Sequence, residues 1–310
     1  MLDNPSILKY KILLIDIYRI CLLCLFLFAC PTNEYSHPVL RLGFIPFESN
    51  EELLKNVQPL IDVIEKGMNM EVQPFIAADY AGVIEAFKGG KLDVAFMSPA
   101  SYVLGHQEAG IQVILKSQRD WQAFYYGAII VRSESSIQKL EDLKEKRFSF
   151  SDPLSTSGHI FPRKILFKYG INPTTDFENV IFSGSHDATI LAVLNKKVDA
   201  GATYADDNQG KSNAWTRFLK PDEQKQIRVL AYSEPIPREN ICVRKDFPAE
   251  KMKQFQDTLL HYSSTPEGKK LMRERYKMDG YVIATHQDYA AIKPAFELAG
   301  IPLEKTLKKN

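Results

Sequence analysis

The chain has 310 residues, with 39 lysines and arginines against 38 aspartates and glutamates and a formal net charge of +1. That balance excludes the broad basic face of a nucleic-acid binder and an acidic tail. The 45% apolar and 25% charged fractions are those of a globular protein, long enough for one large domain or two medium ones.

The opening residues read as a leader. Lys9, Lys11 and Arg19 precede a short apolar run over 20–29, the order of regions in a secretory signal. The run is too short, and too near Asp16 and Arg19, for a transmembrane helix. It ends Leu27-Phe28-Ala29-Cys30, similar to a bacterial lipobox, in which the cysteine becomes the lipidated first residue of the mature chain. On that reading residues 1–30 are the signal with Cys30 as the lipidation site, and 31–38 are a polar tether. An uncleaved N-terminal anchor is the alternative. Cys21 and Cys24 leave with the signal, so Cys242 remains as a lone, buried thiol.

Strands and helices then alternate. Residues 39–45 read as a first strand. A helix follows, capped at Ser49 or Asn50, with Leu53, Leu54, Val57, Leu60, Ile61 and Ile64 on one face and Pro59 as a kink. Strands are expected at 71–75, 92–97 and 111–115, with helices at 79–87 and after Ser98-Pro99, where proline takes the first helical position. The long apolar run 124–131 reads as a strand crossing from one body to another. The pattern restarts beyond it, with strands at 147–151, 180–182, 198–203, 227–232 and 240–244 and a helical tail over 252–298. Such alternation with short links argues for α/β architecture with a largely parallel sheet.

The run Asp152-Pro153-Leu154-Ser155-Thr156-Ser157-Gly158-His159 sits where a strand hands over to a helix. The first amides of a helix lack internal partners, and the helix dipole places partial positive charge there. With three hydroxyls added, the stretch can hold a tetrahedral oxyanion without cationic side chains. An ordinary helix cap is the plainer reading.

The chain also echoes itself. With Asp93 laid over Asp199, Lys91-Leu92-Asp93-Val94-Ala95 matches Lys197-Val198-Asp199-Ala200-Gly201, and Tyr80 falls over His186. Two lobes built in the same order would turn equivalent loops toward each other, and in open α/β sheets ligands bind beyond the carboxyl ends of the strands. Tyr80, Ser98, His186 and Asp206 all lie just past such ends. Tyr125 and Tyr126 alternate faces on one strand, so one of them reaches the cleft. We take Tyr126, with Tyr125 as the alternative. His159 can point away from the site, Tyr102 and Trp121 can serve packing alone, and Asp207 competes with Asp206.

Taken in order, Leu42-Gly43-Phe44-Ile45-Pro46, Asp79-Tyr80-Ala81, Ser98-Pro99-Ala100-Ser101-Tyr102-Val103, Ser155-Thr156-Ser157-Gly158-His159, Gly184-Ser185-His186-Asp187-Ala188 and 197–202 form a set that resembles the phosphonate- and phosphite-binding proteins of ABC importers. These belong to the type II periplasmic-binding fold, and the resemblance covers about 39–301. Two positions depart from it: Ser98 stands where glycine is usual, and Phe47 where a small polar residue is common. The resemblance implies two α/β lobes joined by two crossing strands, here 124–131 and 227–232. Lobe one would be 39–130 plus 234–303, lobe two 131–233, and 304–310 a tail. It further implies a phosphonate group on Ser155, Thr156 and Ser157, with Tyr80, Tyr126 and His186 donating around it. Asp206 and Glu234 match acidic positions that face the far end of the ligand, where such carboxylates hold an amino group. A carboxylate near an anion repels it unless it accepts a hydrogen bond, from a protonated ligand oxygen or a ligand ammonium.

The function so implied is a monomeric, lipid-anchored solute-binding protein of the periplasm or cell surface. It would capture a small oxyanion and deliver it to an ABC permease, with no cofactor, metal or nucleic-acid partner. Catalysis is the rival reading, with Ser157, His186 and Asp206 as nucleophile, base and orienter. Against it, the sequence has no G-x-S-x-G elbow, no H-E-x-x-H, no C-x-x-C outside the leader and no glycine-rich phosphate loop. A sensor subunit on the same fold is the third reading.

Overall fold

The structure is a computed structural model that describes residues 38–302. The leader, Cys30 and most of the tether lie outside the described residues, as does the tail from 303. Twelve strands are described: β1 (Val39–Phe44), β2 (Glu71–Ile76), β3 (Val94–Met97), β4 (Gln112–Gln118), β5 (Phe124–Arg132), β6 (Arg147–Phe150), β7 (Asn179–Phe182), β8 (Ala200–Ala205), β9 (Ile227–Tyr232), β10 (Ile236–Pro237), β11 (Asn240–Val243) and β12 (Gly280–Ile283). They form two mixed sheets. One runs β12-β4-β11-β3-β1-β2; the other runs β10-β5-β8-β6-β7, with β9 on the free side of β5. Each sheet has an apolar cluster on both faces. That explains the unbroken buried run Ala128-Ile129-Ile130-Val131 in β5, since a strand covered on both sides has no polar face.

The helix Asn50–Met68 buries Leu53, Val57, Leu60, Ile61, Ile64 and Met68 on one face, as its spacing predicts. It continues through Pro59 and stops at Asn69, whose left-handed backbone lets its amide bond the Glu65 carbonyl.

The sequence echo extends to backbone register. In the first lobe Arg41 pairs with Gln73 and Leu42 with Val94. In the second, Arg147 pairs with Asn179 and Phe148 with Ala200. Every pair is displaced by the same interval, that between 41 and 147. Asp93 accepts the Arg41 backbone amide at 3.0 Å and its Nε and Nη2 at 2.9 and 2.7 Å. Asp199 does the same for Arg147 at 3.0, 3.0 and 2.8 Å. One carboxylate thus closes the entry to the first strand of each unit through a bidentate arginine fork.

Strand pairing also locates the crossings. β5 and β9, expected to pass between lobes, pair with each other inside the second sheet, and β10 joins them there. The chain crosses in the short segments on either side: 119–123 after β4, and Arg238-Glu239 before β11. The two crossings are tied together, the Arg238 amide donating to the Ala123 carbonyl at 3.0 Å.

Asp93 also accepts Nε of Arg244 at 3.0 Å, a contact for which Asp199 has no counterpart among the described residues. Asp93→Ala is therefore expected to destabilise the fold more than Asp199→Ala, by roughly 1–2 kcal/mol for the buried Asp93, and so to have the lower urea midpoint. Equal midpoints would show that Arg244 contributes nothing.

Candidate functional site

Helix tips converge on the gap between the two sheets. Helices Tyr80–Lys88 and Pro99–Ala109 start at the carboxyl ends of β2 and β3, and helix His186–Leu194 starts beyond β7. The Ser155–Ser157 stretch follows β6. A cavity of about 170 Å³ lies among them, with Tyr80, Tyr125, Ser155, Ser157 and His186 on its wall.

Ser155 is the cap of a single π turn, Thr156–Ile160, which runs straight into helix Phe161–Lys168. Its Oγ accepts the Gly158 amide at 3.0 Å, so the plain capping reading holds for one lone pair of this hydroxyl. The wider turn brings the Ile160 amide to the Ser155 carbonyl at 3.1 Å. The amides of Thr156 and Ser157 occupy the first two positions, where no helical acceptor exists. A side chain at Gly158 would make its neighbours shift: its Cβ would lie 2.5 Å from Ser151 Oγ and 2.8 Å from Ser155 Oγ.

His186 is buried as a neutral ring, and burial pushes its pKa down to about 3. Its Nδ1 lies 3.0 Å from Thr203 Oγ1 and 3.2 Å from Ser151 Oγ, and its Nε2 lies 3.4 Å from Ser155 Oγ. Ser151 donates to the Ala202 carbonyl. The arrangement that uses every donor has Thr203 donating to Nδ1 and the Nε2 proton facing Ser155 and the cavity. Burial, reinforced by Asp152, raises the Tyr80 phenol well above its usual range. Burial does the same for Tyr125, with Glu239 adding to it. Both phenols are therefore fixed as neutral donors.

Asp206 follows β8 directly on the cavity wall, but its oxygens are already engaged. Oδ1 takes Arg238 Nη1 at 3.0 Å; Oδ2 takes Arg119 Nη1 and, at 2.9 Å, Ser212 Oγ. Burial alone would raise its pKa, but Arg119 and Arg238 outweigh burial and hold it below the ordinary value. Both arginines come from the crossing segments. Glu239, beside Arg238, also lines the cavity and accepts Ser117 Oγ at 3.1 Å.

Thr156 is shared: its Oγ1 accepts the Ala100 amide of the other lobe at 2.9 Å, and its hydroxyl also bonds the Tyr125 phenol on the cavity wall. Two cleft residues named from the sequence stand elsewhere. Tyr126 is on the opposite face of β5, edge-on to Phe124 and Tyr232 at 5.9 and 6.4 Å; strand alternation brings Tyr125 to the cavity instead. Glu234 is exposed and paired with Lys164, and Glu239, past the two-residue β10, takes the cavity position. His159 Nδ1 donates to the Pro153 carbonyl at 2.8 Å, and the ring packs edge-on to Phe150 and Phe182, outside the cavity. Asp207 holds the amides of Gln209, Lys211 and Ser212, and Trp121 is exposed in a tight turn. Tyr102 contacts His286. Arg119, Arg238 and Glu239 were not singled out from the sequence; their only signal is charge in two short links flanked by apolar strands. The catalytic alternative is not assembled either, because Asp206 is committed to arginines and His186 Nδ1 to hydroxyls.

The lobes meet through backbone amides of helix first turns. Tyr80 N donates to Asp152 Oδ2 at 3.3 Å and Ala100 N to Thr156 Oγ1. His186 N donates to the Phe47 carbonyl at 3.2 Å. Ser98 Oγ donates to the Leu154 carbonyl at 3.0 Å, and Arg217 pairs with Glu48 at 3.2 Å while lying 5.7 Å from the Phe47 ring.

Two α/β lobes, two crossings and a cleft at the strand ends define a solute receptor of the type II periplasmic-binding fold. A solved binding-protein component of an ABC phosphonate transporter from Pseudomonas aeruginosa superposes with a TM-score of 0.78 at 24% identity, covering 85% of this chain and 87% of that one. PhnD1 from Prochlorococcus marinus, solved with methylphosphonate, gives 0.72 at 23% identity, covering 84% and 97%. The family model for the periplasmic phosphonate substrate-binding protein of ABC transporters matches residues 42–289. The Escherichia coli phosphonates-binding periplasmic protein is 31% identical over 244 residues, 77% of this chain and 70% of that protein. The chain belongs to this family, whose members are transporter binding components rather than enzymes. Among the described residues no helix is long and apolar enough to cross a membrane.

Two outcomes follow from this geometry. Gly158→Ala should force Ser151 and Ser155 apart and cost roughly 1–3 kcal/mol; an unchanged urea midpoint would show that the turn yields freely. The second outcome concerns acid. Burial pushes His159 and His186 to about 3 from 6.5, so the unfolded chain binds protons in that window that the folded chain refuses, and stability falls as pH drops. Asp152, pushed up to about 6 by burial, acts oppositely between its ordinary 3.8 and 6, because the folded chain protonates it first. With two groups against one, the urea midpoint should fall between pH 7 and pH 4. His159→Gln should flatten the decline by up to roughly 1.4 kcal/mol per pH unit; the same slope in the variant would remove His159 from the account.

Proposed function

We propose that the chain is the receptor of an ABC importer for a phosphonate or a closely related tetrahedral oxyanion such as phosphite, held in the interlobe cleft. The observation that supports this most is the convergence of neutral donors on one end of the cavity. Ser155, Ser157, Tyr80, Tyr125 and His186 Nε2 stand around the first turn of a helix. Several charge-assisted hydrogen bonds suit an anion of up to two charges, and neutral donors release it more readily than arginines would. Tyr125 takes the part read for Tyr126 from the sequence, and Thr156 serves both the lobe contact and, through its bond to Tyr125, the donor cluster.

The ligand would favour the closed arrangement of the lobes, since donors from both surround it. Lobe one carries Tyr80, and lobe two carries Ser155, Ser157 and His186. The closed face would then dock on the permease. The lipobox-like end at Cys30 supports a lipid anchor that holds the protein in the periplasm or at the cell surface. The relatives give the candidate ligands, through names that include phosphonates in Escherichia coli, phosphite in Prochlorococcus marinus and phosphate in Mycolicibacterium smegmatis.

Ser157→Ala combined with Tyr80→Phe removes one donor from each lobe. In calorimetry with methylphosphonate the pair should lose at least roughly a hundredfold in affinity, about tenfold for each charge-assisted bond, with little change in apo melting temperature. Wild-type affinity in the double variant would sink the site assignment.

A further inference from the structure

We propose that the cleft selects phosphonates with an uncharged, apolar substituent and discriminates against those that carry an ammonium group. The inference rests on the phosphonate reading above and concerns the other end of the same cavity.

A ligand ammonium needs a carboxylate whose charge is not already matched. Two carboxylates line the cavity wall near the crossings, Asp206 and Glu239. Asp206 is filled: Arg238 on one oxygen, Arg119 and Ser212 on the other. Glu239 lies in the field of Arg119, whose guanidinium it stabilises together with Asp206. Arg119, Arg238, Asp206 and Glu239 sum to zero, with both arginines bonded to Asp206 and Glu239 held by Ser117 in the field of Arg119. Arg119 itself lines the cavity. An ammonium brought here would lose its hydration and meet a buried guanidinium of like sign, a repulsive element that acts only against cationic ligands. The protein's own arginines stand where a ligand cation would otherwise be needed.

The remaining wall is apolar. Phe44 and Phe96 stack at 5.2 Å, and Tyr281 meets Phe96 edge-on at 6.5 Å. Val57, Leu60 and Met278 complete that side of the cavity. A substituent pointing from the phosphorus toward this wall leaves water for carbon. Each methylene so buried tightens binding about three- to fourfold.

The test is a matched pair measured by calorimetry on the wild-type protein. Propylphosphonate and 2-aminoethylphosphonate have the same heavy-atom skeleton and differ by a methyl against an ammonium. Propylphosphonate is expected to bind at least tenfold tighter, and tighter than methylphosphonate. Arg119→Gln should narrow the ratio, because it leaves Glu239 and one face of Asp206 short of a cation. Tighter binding of 2-aminoethylphosphonate by the wild type overturns the proposal, as does a ratio unmoved in a folded Arg119→Gln. If that variant does not fold, the wild-type ratio decides alone. If methylphosphonate, phosphite and both test compounds all fail to bind, the phosphonate reading itself falls, and this inference with it.

Discussion

The unpartnered amides of helix first turns are what the rest of this architecture depends on. A helix leaves its first N–H groups without acceptors, and a protein that buries those ends must find acceptors elsewhere. Here they are found across the cleft. Tyr80 N reaches the Asp152 carboxylate, Ala100 N the Thr156 hydroxyl and His186 N the Phe47 carbonyl. The same physics that makes the Ser155–Ser157 turn suitable for an anion therefore also draws one lobe onto the other. The two positions that depart from the family pattern add to this. Ser98 donates to the Leu154 carbonyl, and Phe47 lies against Arg217, which is paired with Glu48.

A second constraint acts at the crossings. Asp206 is a buried charge on one lobe, and a buried carboxylate persists only with partners. Both of its guanidinium partners come from the two links that join the lobes. The links are bound to each other as well, through Arg238 N and Ala123 O. The base of the cleft is thus a compact ionic cluster, while the amide contacts lie farther along the helix tips. The division separates an electrostatic base from a hydrogen-bonded closing face.

Periodicity and punctuation made much of this readable in advance. The strand-to-helix handover at Ser155–Ser157 was visible as alternation followed by hydroxyls. The echo was visible because Asp93 and Asp199 each end a Lys-x-Asp triplet that precedes a strand. Alternation showed that only one of Tyr125 and Tyr126 could face the cleft, but period two gives parity without sign, and the sign depends on which sheet face carries the cavity. Thr156 lay in the right stretch and is shared with the opposite lobe, through a contact 56 residues distant. The arginines were out of reach for a related reason. Arg119 and Arg238 are 87 and 32 residues from Asp206, and charge pairing over such distances leaves no local pattern. Glu234 and Glu239 were separated only by a strand of two residues, too short to register as one.

The constant displacement between the lobes has one more consequence, for the geometry of capture. Two copies of one backbone frame face a common centre, but they carry different groups at matched positions: a phenol at Tyr80 and an imidazole at His186. A solute with four equivalent corners would gain nothing from that difference. Replace one corner with carbon, and the four ways of seating the tetrahedron become unequal. Broken pseudosymmetry of this kind gives a small, nearly featureless guest a preferred direction.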